Sequence, residues 1–184
     1  MMPSARSFSI AAWALNSPPL NGPGSALAFA PADTACNTYV VGMQFGGLRL
    51  STNGGSTWTD IDAANAVPNR YVTSLAFHPA NSNVLYVTLS GFNEHTPGQP
   101  GHVFKTTNAL DISPRWVDIT PPVNLPFNSV VLDRVDPNTV YLGSDSGVWK
   151  SNDAGQSWTH MGNRWHWPDR GHRIADPEIL QKGK

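Results

Sequence analysis

The chain has 184 residues, room for one ordinary domain, and its 12 basic and 13 acidic residues nearly cancel to a net charge of −1. A charged fraction of 14%, against about 25% in typical globular proteins, together with 16 Gly and 16 Pro, excludes an architecture of long surface helices. The charge balance lacks the basic excess that a phosphate backbone demands, so no nucleic-acid partner is expected, and no apolar run reaches the roughly 18 residues of a membrane span. The single Cys36 forbids an intrachain disulfide and reads as a small buried hydrophobe.

At the N-terminus, Arg6 and the apolar stretch Phe8 to Leu15 have the order of a short signal peptide, with a marginal apolar core and a thin basic region. Trp13-Ala14-Leu15 has a competing reading as the last strand of a preceding unit, because it precedes Leu27 by the same 14 positions that separate Trp116 from Val130. Three similar units follow. The first runs from Leu27-Ala28-Phe29-Ala30-Pro31 through Tyr39-Val40-Val41-Gly42 and Leu48-Arg49-Leu50 to Trp58. The second runs from Leu75-Ala76-Phe77-His78-Pro79 through Val84-Leu85-Tyr86-Val87 and Val103-Phe104-Lys105 to Trp116. The third runs from Val130-Val131-Leu132 through Val140-Tyr141-Leu142-Gly143 and Val148-Trp149-Lys150 to Trp158. The organisation is thus an N-terminal segment 1–25, units at 26–62, 70–120 and 128–162, and an irregular tail 163–184 in which Arg173 to Pro177 faintly echoes a further first strand.

Each unit holds four short β-branched and aromatic runs separated by Pro, Asn, Gly or Asp clusters, which predicts four antiparallel strands joined by tight turns. A lone four-stranded sheet cannot bury both faces. Units stacked radially can, and that arrangement is a β-propeller.

The unit ends carry a motif. Residues 151–158 read Ser151-Asn152-Asp153-Ala154-Gly155-Gln156-Ser157-Trp158, residues 51–58 repeat the spacing with Ser51, Asn53, Gly55 and Trp58, and the segment from Thr106 to Trp116 is a degenerate copy with three extra residues. Ser-x-Asp-x-Gly-x-x-Trp resembles the Asp-box, or BNR repeat, of sialidases, xyloglucanase-type glycosidases and sortilin-type receptors. The resemblance covers about residues 13–162 and implies an all-β propeller segment of about three blades. It does not choose a function, because the box occurs in enzymes and non-enzymes alike. In the box, Asp153 is expected to accept bonds from turn amides, Gly155 to take a positive φ, and Trp158 to open the fourth strand and pack on the adjoining sheet. One carboxylate beside Ser151 and Asn152 supplies too few hard ligands for calcium.

Strand alternation puts the boxes at one end of the units and the turns between second and third strands, with the links to the next unit, at the other. That second end carries the variable loops and the candidate binding residues Arg70, Glu94, His95 and Asp145, with Trp165 and Trp167 beyond the third unit. Asp145 and Glu94 are the catalytic candidates: a glycosidase needs two carboxyl groups across one linkage, and the xyloglucanase-type enzymes that the motif resembles carry an acid in the turn that holds Asp145. The arginine cluster of a sialidase has no match, the six His lack metal-ligand spacing, and neither a metal nor a cofactor is expected. The resulting reading is a non-catalytic propeller module that serves as scaffold or recognises a glycan or protein. Its alternative is a fragment of a secreted glycoside hydrolase with an incomplete catalytic set, the resemblance implying an exported parent. Three units fall short of the four to eight blades of a closed propeller, so the chain is expected to be either an arc of a larger ring or a protomer that self-associates through open sheet edges.

Overall fold

A computed structural model describes residues 22–162 of the chain. The signal-like stretch with Trp13, the pair Trp165 and Trp167, and the Arg173 to Pro177 echo lie outside the described residues. Within them are twelve strands in three antiparallel four-stranded sheets, each in simple sequential order. The first sheet comprises β1 (Gly24–Phe29), β2 (Tyr39–Met43), β3 (Leu48–Ser51) and β4 (Thr59–Asp60). The second comprises β5 (Val72–His78), β6 (Asn81–Leu89), β7 (Val103–Thr106) and β8 (Trp116–Asp118). The third comprises β9 (Phe127–Leu132), β10 (Val140–Ser144), β11 (Gly147–Ser151) and β12 (Thr159–His160). Apart from a single 3-10 turn at Asn93–His95 the described residues hold no helix.

The first strands are neighbours in space: β1 packs on β5 and β5 on β9. This radial order follows from the period-two pattern. Leu75 and Phe77 point back to the first sheet and share its core with Val40, Leu48 and Leu50, while Ala76 between them faces forward and joins Tyr86, Val103, Val130, Leu142 and Trp149. The apolar core is therefore two layers, one in each gap between successive sheets, and each sheet is buried on both faces only where it has both neighbours. Side-chain hydroxyls on the first strands stitch the gaps: Ser25 donates to the Val72 carbonyl at 2.7 Å, and Thr73 to the Phe127 carbonyl at 2.5 Å.

The turn motif explains why each sheet ends as it does. Ser151 Oγ accepts the Gly155 N–H at 2.8 Å and donates to Asp153 Oδ1 at 2.6 Å, and Asp153 in turn accepts the Ser157 N–H at 2.8 Å and the Ser157 hydroxyl at 2.5 Å. Gly155 takes φ +94°, and a Cβ there would stand 2.6 Å from Ile119. The same network forms in the first sheet although Asn53 replaces the acid. Its Oδ1 accepts the Thr57 N–H at 2.9 Å, and its amide donates to Thr57 Oγ1 at 2.8 Å, so the hydroxyl has exchanged donor for acceptor. In the degenerate second copy Asn108 Oδ1 still accepts the N–H of the residue before the Trp, Arg115, at 2.9 Å. Trp116 opens β8 as expected, whereas Trp58 and Trp158 stand one residue ahead of their strands.

Cys36 departs from expectation. It is exposed, in the β1–β2 turn, at φ +56°. Asp33 governs this turn, its carboxylate accepting the N–H groups of Ala35 and Thr38 and its carbonyl that of Cys36. Satisfying those donors turns the cysteine outward.

Candidate functional site

The end of the sheets opposite the boxes is built from the β2–β3 turn, the long Ser90–Gly101 loop between β6 and β7, the β10–β11 turn, and the two links between sheets. Between the first and second sheets these segments enclose an open cleft of about 330 Å³, lined by Gln44 and Phe45 from the turn, Asn69, Arg70 and Tyr71 from the link, and Ser90, Gly91 and His95 from the loop. Phe45 is 65% exposed and Tyr71 43%, so two aromatic rings stand at the rim beside carboxamide groups. The turn is fixed closely: Gly46 adopts φ +87° and approaches Asn69 so tightly that a Cβ would lie 2.4 Å from its Cα. Phe92, 40% exposed, adds a third ring on the same loop as His95 and lies edge-on to it, with centroids 6.0 Å apart.

Beneath the cleft a chain of polar groups runs from the buried Arg70 and His102 out to the exposed Asn124 and Glu94. Arg70, only 5% exposed, donates through Nη1 to Nδ1 of the fully buried His102 at 3.3 Å and through Nη2 to the Gly101 carbonyl. A guanidinium has no acceptor, so Nδ1 of His102 must be the acceptor and its proton must sit on Nε2. That Nε2–H donates to Asn124 Oδ1 at 3.0 Å, and the Asn124 amide then donates to both Glu94 oxygens, at 3.1 and 3.2 Å. Asn124 Oδ1 also accepts the Asn93 N–H at 2.9 Å, and Asn93 Oδ1 accepts the Gly101 N–H at 3.0 Å. Five side chains, Arg70 from the first link, Asn93 and Glu94 from the loop, His102 just after it and Asn124 from the second link, thus latch the Ser90–Gly101 loop in place.

The electrostatics follow from this order. Burial pushes the His102 pKa down, and the positive Arg70 adds to the effect against the opposing bond to Asn124. Burial also lowers Arg70, while Asp118 and Glu94 support its charge. Glu94, at the open end of the chain, is held below the usual carboxylate range by its own backbone amide and by Asn124.

The residues expected to act together divide. Arg70 and His95 line the cleft, Arg70 with its guanidinium committed to Gly101 and His102. Glu94 lies on the same loop, tied to Asn124 in the second link. Asp145 stands exposed in the β10–β11 turn, accepts the Asn128 amide at 2.8 Å, and its N–H reaches the Pro126 carbonyl at 3.3 Å. The two carboxylates are therefore tethered at positions four residues apart, Glu94 to Asn124 in the second link and Asp145 to Asn128 at the start of β9. No group of three or more His, Cys, Asp or Glu placed to hold a metal occurs among the described residues, and no described helix is long and apolar enough to cross a membrane. Sequence reading missed Phe45, Phe92, His102 and Asn124 as site residues. The signal for the rings was their place: Phe45 and Phe92 occupy the turns between second and third strands, where no core requires them.

No family model matches the chain. A xyloglucanase of Hypocrea jecorina (strain QM6a) is 29% identical over 131 residues, which is 65% of this chain and 14% of that protein. Among solved structures, an ancestral GH74 enzyme superposes with a TM-score of 0.58 at 29% identity, covering 77% of this chain and 18% of that one. An auxiliary nutrient binding protein from Bacteroides thetaiotaomicron gives 0.57 at 13% identity over 77% of this chain and 31% of its own. The chain thus spans about one seventh of the length of the curated relative it matches. With three sequential four-stranded antiparallel sheets in radial order, its fold is an arc of β-propeller.

Proposed function

We propose that this chain is the glycan-recognising arc of an Asp-box propeller, and that its described residues bind a sugar chain without cleaving it. The observation that carries the reading is the pair of exposed rings, Phe45 and Tyr71, at the rim of a cleft that also presents Gln44 and Asn69. An aromatic face covers the apolar side of a pyranose while carboxamides bond its hydroxyls. The likeness to a xyloglucanase supports a β-glucan of the xyloglucan class as ligand. Against catalysis stands Glu94: a general acid needs a carboxyl whose pKa is raised toward neutrality, and this one is held low by two kinds of donor. Titrating xyloglucan oligosaccharides into the protein tests the reading. Binding that Phe45→Ala and Tyr71→Ala both weaken is expected, and binding indifferent to both, or absent, overturns it.

One observation favours a hydrolase as the second reading. Asp145 and Glu94 accept bonds from Asn128 and Asn124, whose Cα atoms cannot be more than about 14 Å apart across four residues, so the two carboxyl groups are anchored to neighbouring positions of the chain. Glycosidase pairs work at about 5 to 9.5 Å. Hydrolysis of xyloglucan that is abolished by Asp145→Ala or Glu94→Ala would establish this reading in place of the first.

A further inference from the structure

The contacts that join one sheet to the next recur along the chain. Trp116 Nε1 donates to the Ile61 carbonyl at 2.9 Å, and Trp158 Nε1 to the Ile119 carbonyl at 2.7 Å. Both carbonyls belong to the residue after a fourth strand, whose N–H is returned to the third strand of its own sheet, Ile61 to Leu48 and Ile119 to Val103. Met161 occupies the same position in the third sheet, with its N–H on the Val148 carbonyl at 2.8 Å. A second recurring element is a tyrosine paired across the ladder with a lysine. Tyr86 and Lys105 both donate to the Ala154 carbonyl in the next sheet's box turn, at 3.4 and 3.1 Å, with the ammonium 5.3 Å from the ring. Tyr141 and Lys150 form the equivalent ladder pair at 5.7 Å.

The apolar residues around these groups repeat the pattern. Ala76, Val103 and Ile119 line the gap between the second and third sheets, and their counterparts Val131, Val148 and Met161 are 59, 45 and 53% exposed. The opposite end of the arc carries the complementary half. Leu27 and Phe29, counterparts of the buried Leu75 and Phe77, are 54 and 47% exposed. Trp58 stands where Trp116 and Trp158 stand, and Gly54 where Ala154 offers its carbonyl.

We infer that these faces are two halves of one interface, and that the open face of the third sheet receives the first sheet of a second copy of this chain. Lys150 and Tyr141 then meet the Gly54 carbonyl as Lys105 and Tyr86 meet Ala154, and the Trp58 indole N–H reaches the Met161 carbonyl. The argument is continuity with interfaces already formed inside the chain: the Trp–carbonyl contact occurs in both gaps, and the Tyr–Lys contact between the second and third sheets. Two copies related by a two-fold axis bring both pairs of faces together and close a ring of two times three sheets. The outer face of the first sheet departs from the others at two positions: the Arg49–Asp60 ion pair at 2.7 Å stands where they carry Phe104 and Trp149, and Tyr39 where they carry Leu85 and Val140, so the joint between copies is more polar than the internal ones.

Sedimentation equilibrium of the full chain over a concentration series tests the inference. The expected result is a dimer whose dissociation constant rises about tenfold or more in Lys150→Glu, since a charge-assisted bond becomes a repulsion. Trp58→Phe, which keeps a ring on Tyr39 and removes the N–H, should weaken the dimer about fivefold or more. Circular dichroism of both variants should match the parent. A monomer at every concentration overturns the inference, as does a dimer indifferent to both substitutions, which would form through another surface.

Discussion

The indole N–H of Trp158 donates to the carbonyl of Ile119, 39 residues earlier and in the preceding sheet, at 2.7 Å. The turn that places this ring is held by Ser151 and Asp153, so a local clip and a contact between sheets are one device. Trp158→Ala removes the ring from the second core layer and is expected to cost about 3 kcal/mol or more. Trp158→Phe keeps most of the packing and orphans one carbonyl, for about 1 kcal/mol. Urea unfolding of both variants measures the split, and equal losses would mean that the hydrogen bond, not the ring, carries the contact.

Asp153 is held at a pKa of about 2, chiefly by the Ser151 and Ser157 hydroxyls and the Ser157 amide. A carboxylate with a depressed native pKa contributes stability that is fully present above its unfolded value, 3.8, and is lost as pH falls toward 2. Asp153→Asn should flatten that acid slope. Near neutral pH it should cost little, because the first sheet already closes its turn with Asn53 and a hydroxyl turned to accept. Thermal melts between pH 2 and 6 follow both effects.

Asp62 has the opposite sign. Burial raises its carboxyl to about 6 against the Val67 and Ala66 amides, and its Oδ2 has no protein partner. Between 3.8 and about 6 the native state holds the proton more tightly than the unfolded chain, so stability declines as pH rises through that window. Asp62→Asn should remove the decline and stabilise the protein at pH 7 by about 1 to 2 kcal/mol, partial solvent screening included. Denaturant midpoints at pH 4 and pH 7 give the comparison. A larger gap in the variant than in the parent would refute the assignment.

His102 reverses the sign again. Its lowered pKa means that the unfolded chain takes up the proton first, so stability falls as pH drops below 6.5. Protonation falls on Nδ1, which then no longer accepts from Arg70 and sets a cation against its guanidinium, so the Arg70 end of the latch opens while Nε2–H still donates to Asn124. His102→Gln should retain a neutral side chain and lose this pH dependence, and hydrogen exchange in Ser90–Gly101 should quicken on acidification in the parent far more than in the variant.

The fold was legible because its signals are local. A Ser or Thr two residues before an Asx, with a Trp further on, closes a turn from within, so even the copy interrupted by three residues before Trp116 kept its geometry. The alternation of Leu75, Ala76 and Phe77 likewise dictates two buried faces before any neighbour is specified. The site was less legible, because its geometry depends on what distant segments do to one another. Arg70 reads as a surface cation in a loop and is buried because His102 and Gly101, more than 30 residues away, accept its protons. Cys36 reads as apolar filling and is exposed because Asp33 turns the backbone around it. Phe45 needed its neighbours Asn69 and Tyr71 before its exposure acquired meaning.

Those neighbours define the remaining prediction. If the rings of Phe45 and Tyr71 carry sugar binding by stacking, Phe45→Ala and Tyr71→Ala should each weaken a xyloglucan oligosaccharide by about five- to twentyfold, the loss of one to two kcal/mol of ring contact. Tyr71→Phe should cost much less, since the face is kept and only the hydroxyl goes. Both side chains are exposed at the rim, so the free energy of unfolding should change by no more than about 0.5 kcal/mol. The carboxamides sort a glycan from other ligands: Asn69→Ala and Gln44→Ala should weaken the sugar and leave a simple hydrophobic dye unaffected. Calorimetric titration of the four alanine variants measures the pattern. A loss confined to the carboxamides would relocate recognition from ring stacking to hydroxyl bonding.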